Sequence, residues 1–271
     1  MRKRHCGYFE EILGTSVLLD EKATREPAEE KEFFRLLEEH ATAKTIDRAL
    51  RLRGTTKFRS EVLRKMHGGL LLRDALLRHT GNAKLDVYSG AAMIVRCSDG
   101  NARRLVQLFT AILRQAISTD KKVTVVSRRA QNELLANYGN EALSQSQSLP
   151  PVGKELFIIL SQVGHELAAR FMANRLSSDQ ITSIEVGKDD GKMIHQIVRL
   201  AVQGSMLVPA DNRVLSQPTT PCDGVFHLAY VLAPHFHLLP RRNKSARLLS
   251  LIPQSISAKL YGQSAILLAE I

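Results

Sequence analysis

From Pro27 to Ala142 apolar residues mostly return every three or four positions, and that spacing predicts helix, except over Lys121 to Val126, whose alternating Val123, Val125 and Val126 read either as a short strand or as the approach to a helix start at Ser127. Pro27 opens an acidic helix, Ala28 to Thr42, with Phe33, Phe34, Leu36 and Leu37 on its apolar face. Lys44 to Leu52 follows, then a break at Gly54-Thr-Thr. Phe58 to Arg78 continues with Val62, Leu63, Met66, Leu70, Leu71, Leu76 and Leu77, and Gly68-Gly69 predicts a kink there. Val87 to Arg96, entered at Tyr88-Ser-Gly, and Arg128 to Ala142 read the same way. At the front, His5 to Leu19 predicts a short helix with Tyr8, Phe9, Ile12 and Leu13 inward.

One stretch in this block carries an electrostatic oddity. Asp99, Gly100 and Asn101 favour a turn, because Gly tolerates positive φ and Asx side chains bond the backbone N–H groups that follow. Leu105, Leu108, Phe109, Ile112 and Leu113 then mark a helix. Arg103 and Arg104 therefore stand in its first turn, where the helix dipole disfavours a cation by roughly 0.3–1 kcal/mol. Something should offset that cost: a nearby carboxylate or plain solvent, or a phosphate, which suits both a guanidinium and open N–H groups.

Gly-Asn-Ala-Arg-Arg-Leu, residues 100–105, resembles the sensor-2 segment of AAA+ ATPases, which starts a helix of the small helical lid domain. Within AAA+ proteins it is most similar to the initiator, origin-recognition branch and its bacterial relatives. The resemblance implies that Arg103, after Asn101 and beside Arg104, touches the γ-phosphate of ATP and couples lid position to nucleotide state. Ala102 stands where the family often has proline.

The second half reads differently. Ser144 to Pro151 is polar, then proline-rich, and is predicted to be a linker. Pro151 to Arg175 is a long helix with Leu156, Ile159, Leu160, Val163, Leu167 and Phe171 in one stripe. Ile181 to Val186 reads as a short strand or a short helix. Asp189 and Asp190 are expected to cap a helix, Lys192 to Gln203, and Gly204 to close it. Met206 to Val208 and Val225 to Leu232 predict two strands around a polar loop. That order outlines a winged helix, a fold that usually has three helices where only two are clear here. The Leu-Ala-Pro and Leu-Pro-Arg-Arg segments between Phe226 and Arg242 resemble the tail of the winged-helix region in bacterial initiator-like AAA+ proteins. The combined resemblance covers roughly residues 85–245 and implies DNA as a partner. A winged helix places a helix in the major groove and its wing on the minor groove or backbone. The polar side of the Lys192–Gln203 helix offers Lys192, His195, Gln196 and Arg199; the wing and its exit offer Arg213, Arg241, Arg242 and Lys244.

Charge points the same way. Residues 1–40 hold 7 Lys/Arg against 10 Asp/Glu, whereas the rest holds 31 against 17. An acidic front on a basic body suits a polyanion partner. The expected plan is an acidic helical segment (1–40), a lid-like domain (41–143), a linker (144–151), a winged helix (152–245) and a tail (246–271). No Gly-x4-Gly-Lys-Ser/Thr occurs in the 271 residues, so nothing cradles a β-phosphate. Val17-Leu-Leu-Asp-Glu21 only superficially resembles a Walker B strand. No catalytic residue is assigned, and no ATP is expected to bind this chain alone; ATP would come through a P-loop ATPase partner or a missing N-terminal core. Cys6, Cys97 and Cys222 suit a reducing, cytoplasmic setting. Cys222, His227, His235 and His237 lie close together, with His235 and His237 expected on one strand face, but fitting acidic or Cys partners are missing and no metal is assigned. No membrane span is expected. Two rival readings remain: a free-standing winged-helix regulator, and an interaction module whose acidic front docks a partner ATPase.

Overall fold

The computed structural model describes residues 8–19, 27–78, 85–119, 125–177, 180–211, 222–258 and 260. The chain is mainly α with one small mixed sheet, and it divides into two compact units: residues 1–137 with 172–180, and residues 138–171 with 181–271.

Unit 1 holds α1 (Tyr8–Leu13), α2 (Pro27–His40), α3 (Ala43–Leu52), α4 (Thr56–Phe58), α5 (Arg64–Arg78), α6 (Ala91–Cys97), α7 (Ala102–Thr119) and the start of α8 (Arg128–Gln145). Its core follows the three/four periodicity: Phe33, Leu36 and Leu37 of α2 and Met66, Leu70 and Leu72 of α5 are fully buried. The Phe33 ring meets Phe34 and Phe58 edge-on. α5 runs unbroken through Gly68-Gly69, where the sequence predicts a kink. The irregularity comes earlier, as a π-turn over Arg59–Leu63 that buries Val62 and Leu63 side by side. Val17 to Leu19 form a turn rather than a strand.

The Tyr88-Ser-Gly turn is the knot of this unit. Gly90 takes φ +93°, and a Cβ there would stand 2.5 Å from the Ser16 nitrogen. Gln131 ties three segments together. Its carbonyl accepts from Gly90 N at 2.8 Å, and its amide donates to Leu13 O and Val126 O at 2.9 and 2.8 Å. Asn132 accepts from Tyr88 N at 3.1 Å. Buried backbone groups need partners, and one amide here serves three of them. The excursion Met172–Gln180 also belongs to this unit: Leu176 N donates to His40 O, Thr42 N donates to Leu176 O, and Arg73 donates to Asn174 O and Met172 O.

Residues 144–151, expected as a linker, lie within unit 2, and the division by contacts falls between Asn137 and Tyr138. The reason is burial. Ser146 is buried and donates to Leu143 O, while the chain turns so tightly that a Cβ on Gly153 would meet the carbonyls of Ser146 and Gln147 at 2.6 Å.

Unit 2 is built on the end of α8, α9 (Gly153–Ala173), β1 (Ile181–Val186), α10 (Lys192–Gln203), β2 (Leu207–Pro209), β3 (Gly224–Leu228), α11 (Ala233–Phe236) and β4 (Lys244–Arg247). Tyr138, Ala142 and Leu143 of α8 pack on the core, so α8 joins α9 and α10 as a third helix against it. The ambiguous Ile181–Val186 segment is a strand. Sheet order is β2-β3-β1-β4, with β1 antiparallel to β3, β2 antiparallel to β3, and β4 added parallel to β1. The order is compatible with a winged-helix outline carrying one extra edge strand, which straddles the boundary expected between residues 245 and 246. Gly164 has no Cβ, which lets the Phe236 ring lie against α9. Among the described residues α9 alone is long and apolar enough to cross a membrane by length and composition, but Leu156, Ile159, Leu160, Val163 and Leu167 face the core of this unit.

Three local expectations are corrected. The strand expected over Val225 to Leu232 ends at Leu228; a 3-10 turn (Tyr230–Leu232) and α11 follow, because residues 226–234 are uniformly buried and an unbroken apolar run has no period to read. His235 and His237 consequently share no strand face: His235 lies inside the short helix α11, and His237 is its left-handed cap at φ 58°. At the start of α10 the N-cap is Gly191 rather than Asp189 or Asp190; at its end Gly204 is the C-cap, as expected, and the left-handed φ of 55° falls on Ser205.

Candidate functional site

The loop between α6 and α7 forms as its residue types dictate. Asp99 and Gly100 both take positive φ, 52° and 76°, which Gly adopts freely and Asp tolerates. Asn101 then caps α7. Its side-chain oxygen accepts from Arg104 N at 3.1 Å and its carbonyl accepts from Leu105 N at 2.9 Å.

The two arginines of the first turn part company here. Arg104 is 8% exposed and donates from Nη1 to Asp99 Oδ2 at 3.2 Å, with Asp99 only 4% exposed. That carboxylate is the compensating anion for this cation. Arg103, one residue earlier, is exposed, and among the described residues no acid pairs with it. Its neighbours Ala102 and Val106 are exposed too. A guanidinium fixed to the first turn of a long helix and open to solvent can take an incoming anion through its own fork and through the nearby dipole. At the end of α6, burial and then the Asp99 charge push the Cys97 thiol far above its ordinary range, so it is an inert packing group. Sequence reasoning gave Asp99 a turn role only and missed its ion pair. The signal was there in an acid set five residues before one of two adjacent first-turn arginines.

In unit 2 the expected polyanion face is partly assembled. Lys192 and Gln196 are exposed on α10, and Arg199, one turn further along the same face, is half-buried. His195 is not on that face: it is buried, with Nε2 at 3.3 Å from Lys188 O. Its neighbours in the helix, Met193, Ile194 and Ile197, are buried as well, so it falls on the apolar arc. Arg242 and Lys244 are exposed around the start of β4. Arg241 is half-buried and lines a small, mainly apolar pocket with Leu167, Thr182, Leu228, Tyr230 and Leu238. Arg213 lies outside the described residues. Lys188 and Arg247, which the sequence did not single out, are exposed beside the same elements.

The histidines near Cys222 pack instead of converging. His227 lies 4.6 Å from the Tyr230 ring, and His165 and His235 both meet Phe236 edge-on. Burial lowers the pKa of His235 and His237, and the positive charges of His165 and His237 lower His235 further. Among the described residues one group of potential ligand atoms does converge, Glu39, His40 and Asp74 in unit 1. Arg35 and Arg78 already pair with Glu39 and Asp74, so this is an ion-pair network on the α2 and α5 surface.

A family model described as ORC-CDC6-like matches residues 10–249. No curated protein and no solved structure matches the chain.

Proposed function

Since this chain belongs to the ORC-CDC6-like family, and so to the origin-recognition-like AAA+ proteins, we propose that it is the DNA-binding, nucleotide-sensing portion of an initiator-like ATPase whose P-loop lies on another polypeptide segment. The observation that carries this reading is the contrast within one helical turn: Arg104 is neutralised by buried Asp99, and Arg103 is left facing solvent. In this role Arg103 meets the terminal phosphate of ATP held by a P-loop partner, and Asn101 and the Asp99–Arg104 pair hold the helix start in place for it. The chain itself performs no hydrolysis, because no phosphate-binding loop is present in its sequence.

Support for the DNA half comes from unit 2. Lys192 and Gln196 of α10 and Arg242 and Lys244 near β4 are exposed cations and donors on one compact body. Such groups bind the phosphate backbone and release counterions, which gives affinity without sequence choice. The test is fluorescence anisotropy of labelled duplex DNA across a KCl series. The reading expects log K to fall linearly with log salt, and K192A with R242A to reduce the slope by about 2. Absence of binding, or a response flat in salt, would favour the rival interaction module docked through the acidic front.

A further inference from the structure

The turn that feeds α10 is held by more contacts than a surface turn needs. Asp190 has only 3% of its side chain exposed. Its Oδ2 accepts from Gly187 N at 2.7 Å, and its Oδ1 accepts from Arg247 Nη2 at 3.2 Å. Arg247 reaches it from β4, fifty-seven positions later in the sequence. The guanidinium sits close against Gly187: a Cβ there would stand 2.5 Å from Nη1 and 2.9 Å from Cζ, so a larger residue would push this side chain off its present position. From inside α10, His195 meets the Lys188 carbonyl at 3.3 Å, pinning the same turn a second time. The strand register also serves this arrangement, since Arg247 pairs with Glu185 at the end of β1 that leads into Gly187.

Half of the Arg247 side chain stays exposed, although its anchoring acid is buried. Lys188 and Lys192, which bracket the turn, are exposed as well. An arginine held along one edge by a buried carboxylate keeps its remaining N–H groups aimed outward in a fixed plane, with its side-chain entropy already lost. Such a fork suits a phosphate better than a freely moving lysine does.

We infer that Asp190 is a positioning residue that locks Arg247 and the Gly187–Gly191 turn into one phosphate-facing element, so that Arg247, Lys188 and Lys192 engage a nucleic-acid backbone together. This rests on the reading of unit 2 as a DNA-binding body. Nothing in the sequence pairs Asp190 with Arg247, and neither belongs to the candidate set read from it.

The test exploits a sign. Removing an acid from a DNA-binding surface ordinarily tightens binding, because net positive charge rises. For Asp190→Asn the inference expects the opposite: duplex DNA bound about tenfold more weakly, with the salt slope reduced by about 1. Arg247→Lys keeps the charge but loses the fork, and it is expected to show the same loss. The double variant is expected to lose little beyond either single one, since the two residues act as a unit. Circular dichroism at the assay temperature checks that each variant is folded, and Arg247→Lys, which keeps a cation over Asp190, remains informative if Asp190→Asn is not. Wild-type binding with Asp190→Asn or Arg247→Lys equal to or tighter than wild type would overturn the inference and leave the DNA-binding reading intact. A wild-type chain that fails to bind DNA would overturn both.

Discussion

Arg104 and Asp99 form an ion pair across 3.2 Å with both side chains less than a tenth exposed, and this pair decides which of two adjacent arginines faces outward. Paired charges of this kind are a poor source of net stability, but breaking one by removing a single partner leaves an uncompensated buried charge. Asp99→Ala is therefore expected to destabilise unit 1 by about 3–5 kcal/mol in urea denaturation. Arg103→Ala, at an exposed position, should fall within about 0.5 kcal/mol of wild type. Equal losses from the two variants would contradict the assignment of a structural role to one arginine and a recognition role to the other.

The Gly90 turn should be the most substitution-sensitive point of unit 1. A methyl group there meets the Ser16 and Thr15 backbone at 2.5–2.6 Å, at a φ that side chains rarely adopt. Gly90→Ala is expected to cost about 2–4 kcal/mol. Gln131→Ala strips partners from Gly90 N, Leu13 O and Val126 O at once, and each orphaned buried group costs about 1–3 kcal/mol. Thermal melts of the two variants against wild type check both.

Unit 2 should lose stability as pH falls below neutral. The fold holds His235 and His237 with pKa values below the ordinary 6.5, mainly through burial. The unfolded chain therefore binds more protons in the window between the folded and free values, and stability rises with pH across it. The contribution is complete above about pH 6.5 and is lost as pH drops through the folded values. Melting temperatures taken from about pH 7.5 to about pH 5.5 should fall, and His235→Gln should flatten that slope. A slope unchanged by the substitution would assign the dependence to other groups.

Cys97 should resist thiol reagents while the chain is folded. The thiolate is the reactive form, and burial beside Asp99 holds the group as a neutral thiol. Peptide mapping after alkylation at about pH 8 should find Cys97 unmodified in the native chain and modified in denaturant.

Helix positions were legible in the sequence wherever one face is apolar and the other polar. Lys192–Gln203 matches residue for residue, and Ala102–Thr119 starts where Asn101 can cap it. Periodicity failed where burial is uniform, as after Leu228, since a run with no polar face carries no phase. It also says nothing of partners far apart in the chain. Asp190 read as a cap because its long-range partner, Arg247, is invisible to local rules. His195 read as a surface residue because residue type was weighed above its place on the apolar arc. At the candidate site the cap, the turn and both first-turn arginines were legible, but which of the two faces outward was not, because that depends on where the Asp99 carboxylate is buried.

The central claim is that Arg103 answers to a triphosphate bound by a partner. The most direct measurement is crosslinking of the chain to P-loop ATPases in an extract of its source organism, with and without added ATP, comparing wild type with Arg103→Ala. A P-loop ATPase should be captured by wild type only when ATP is present, and capture should be lost in Arg103→Ala, whose melting temperature is expected to be unchanged. Capture that ignores nucleotide, or that survives loss of the Arg103 guanidinium, would contradict it.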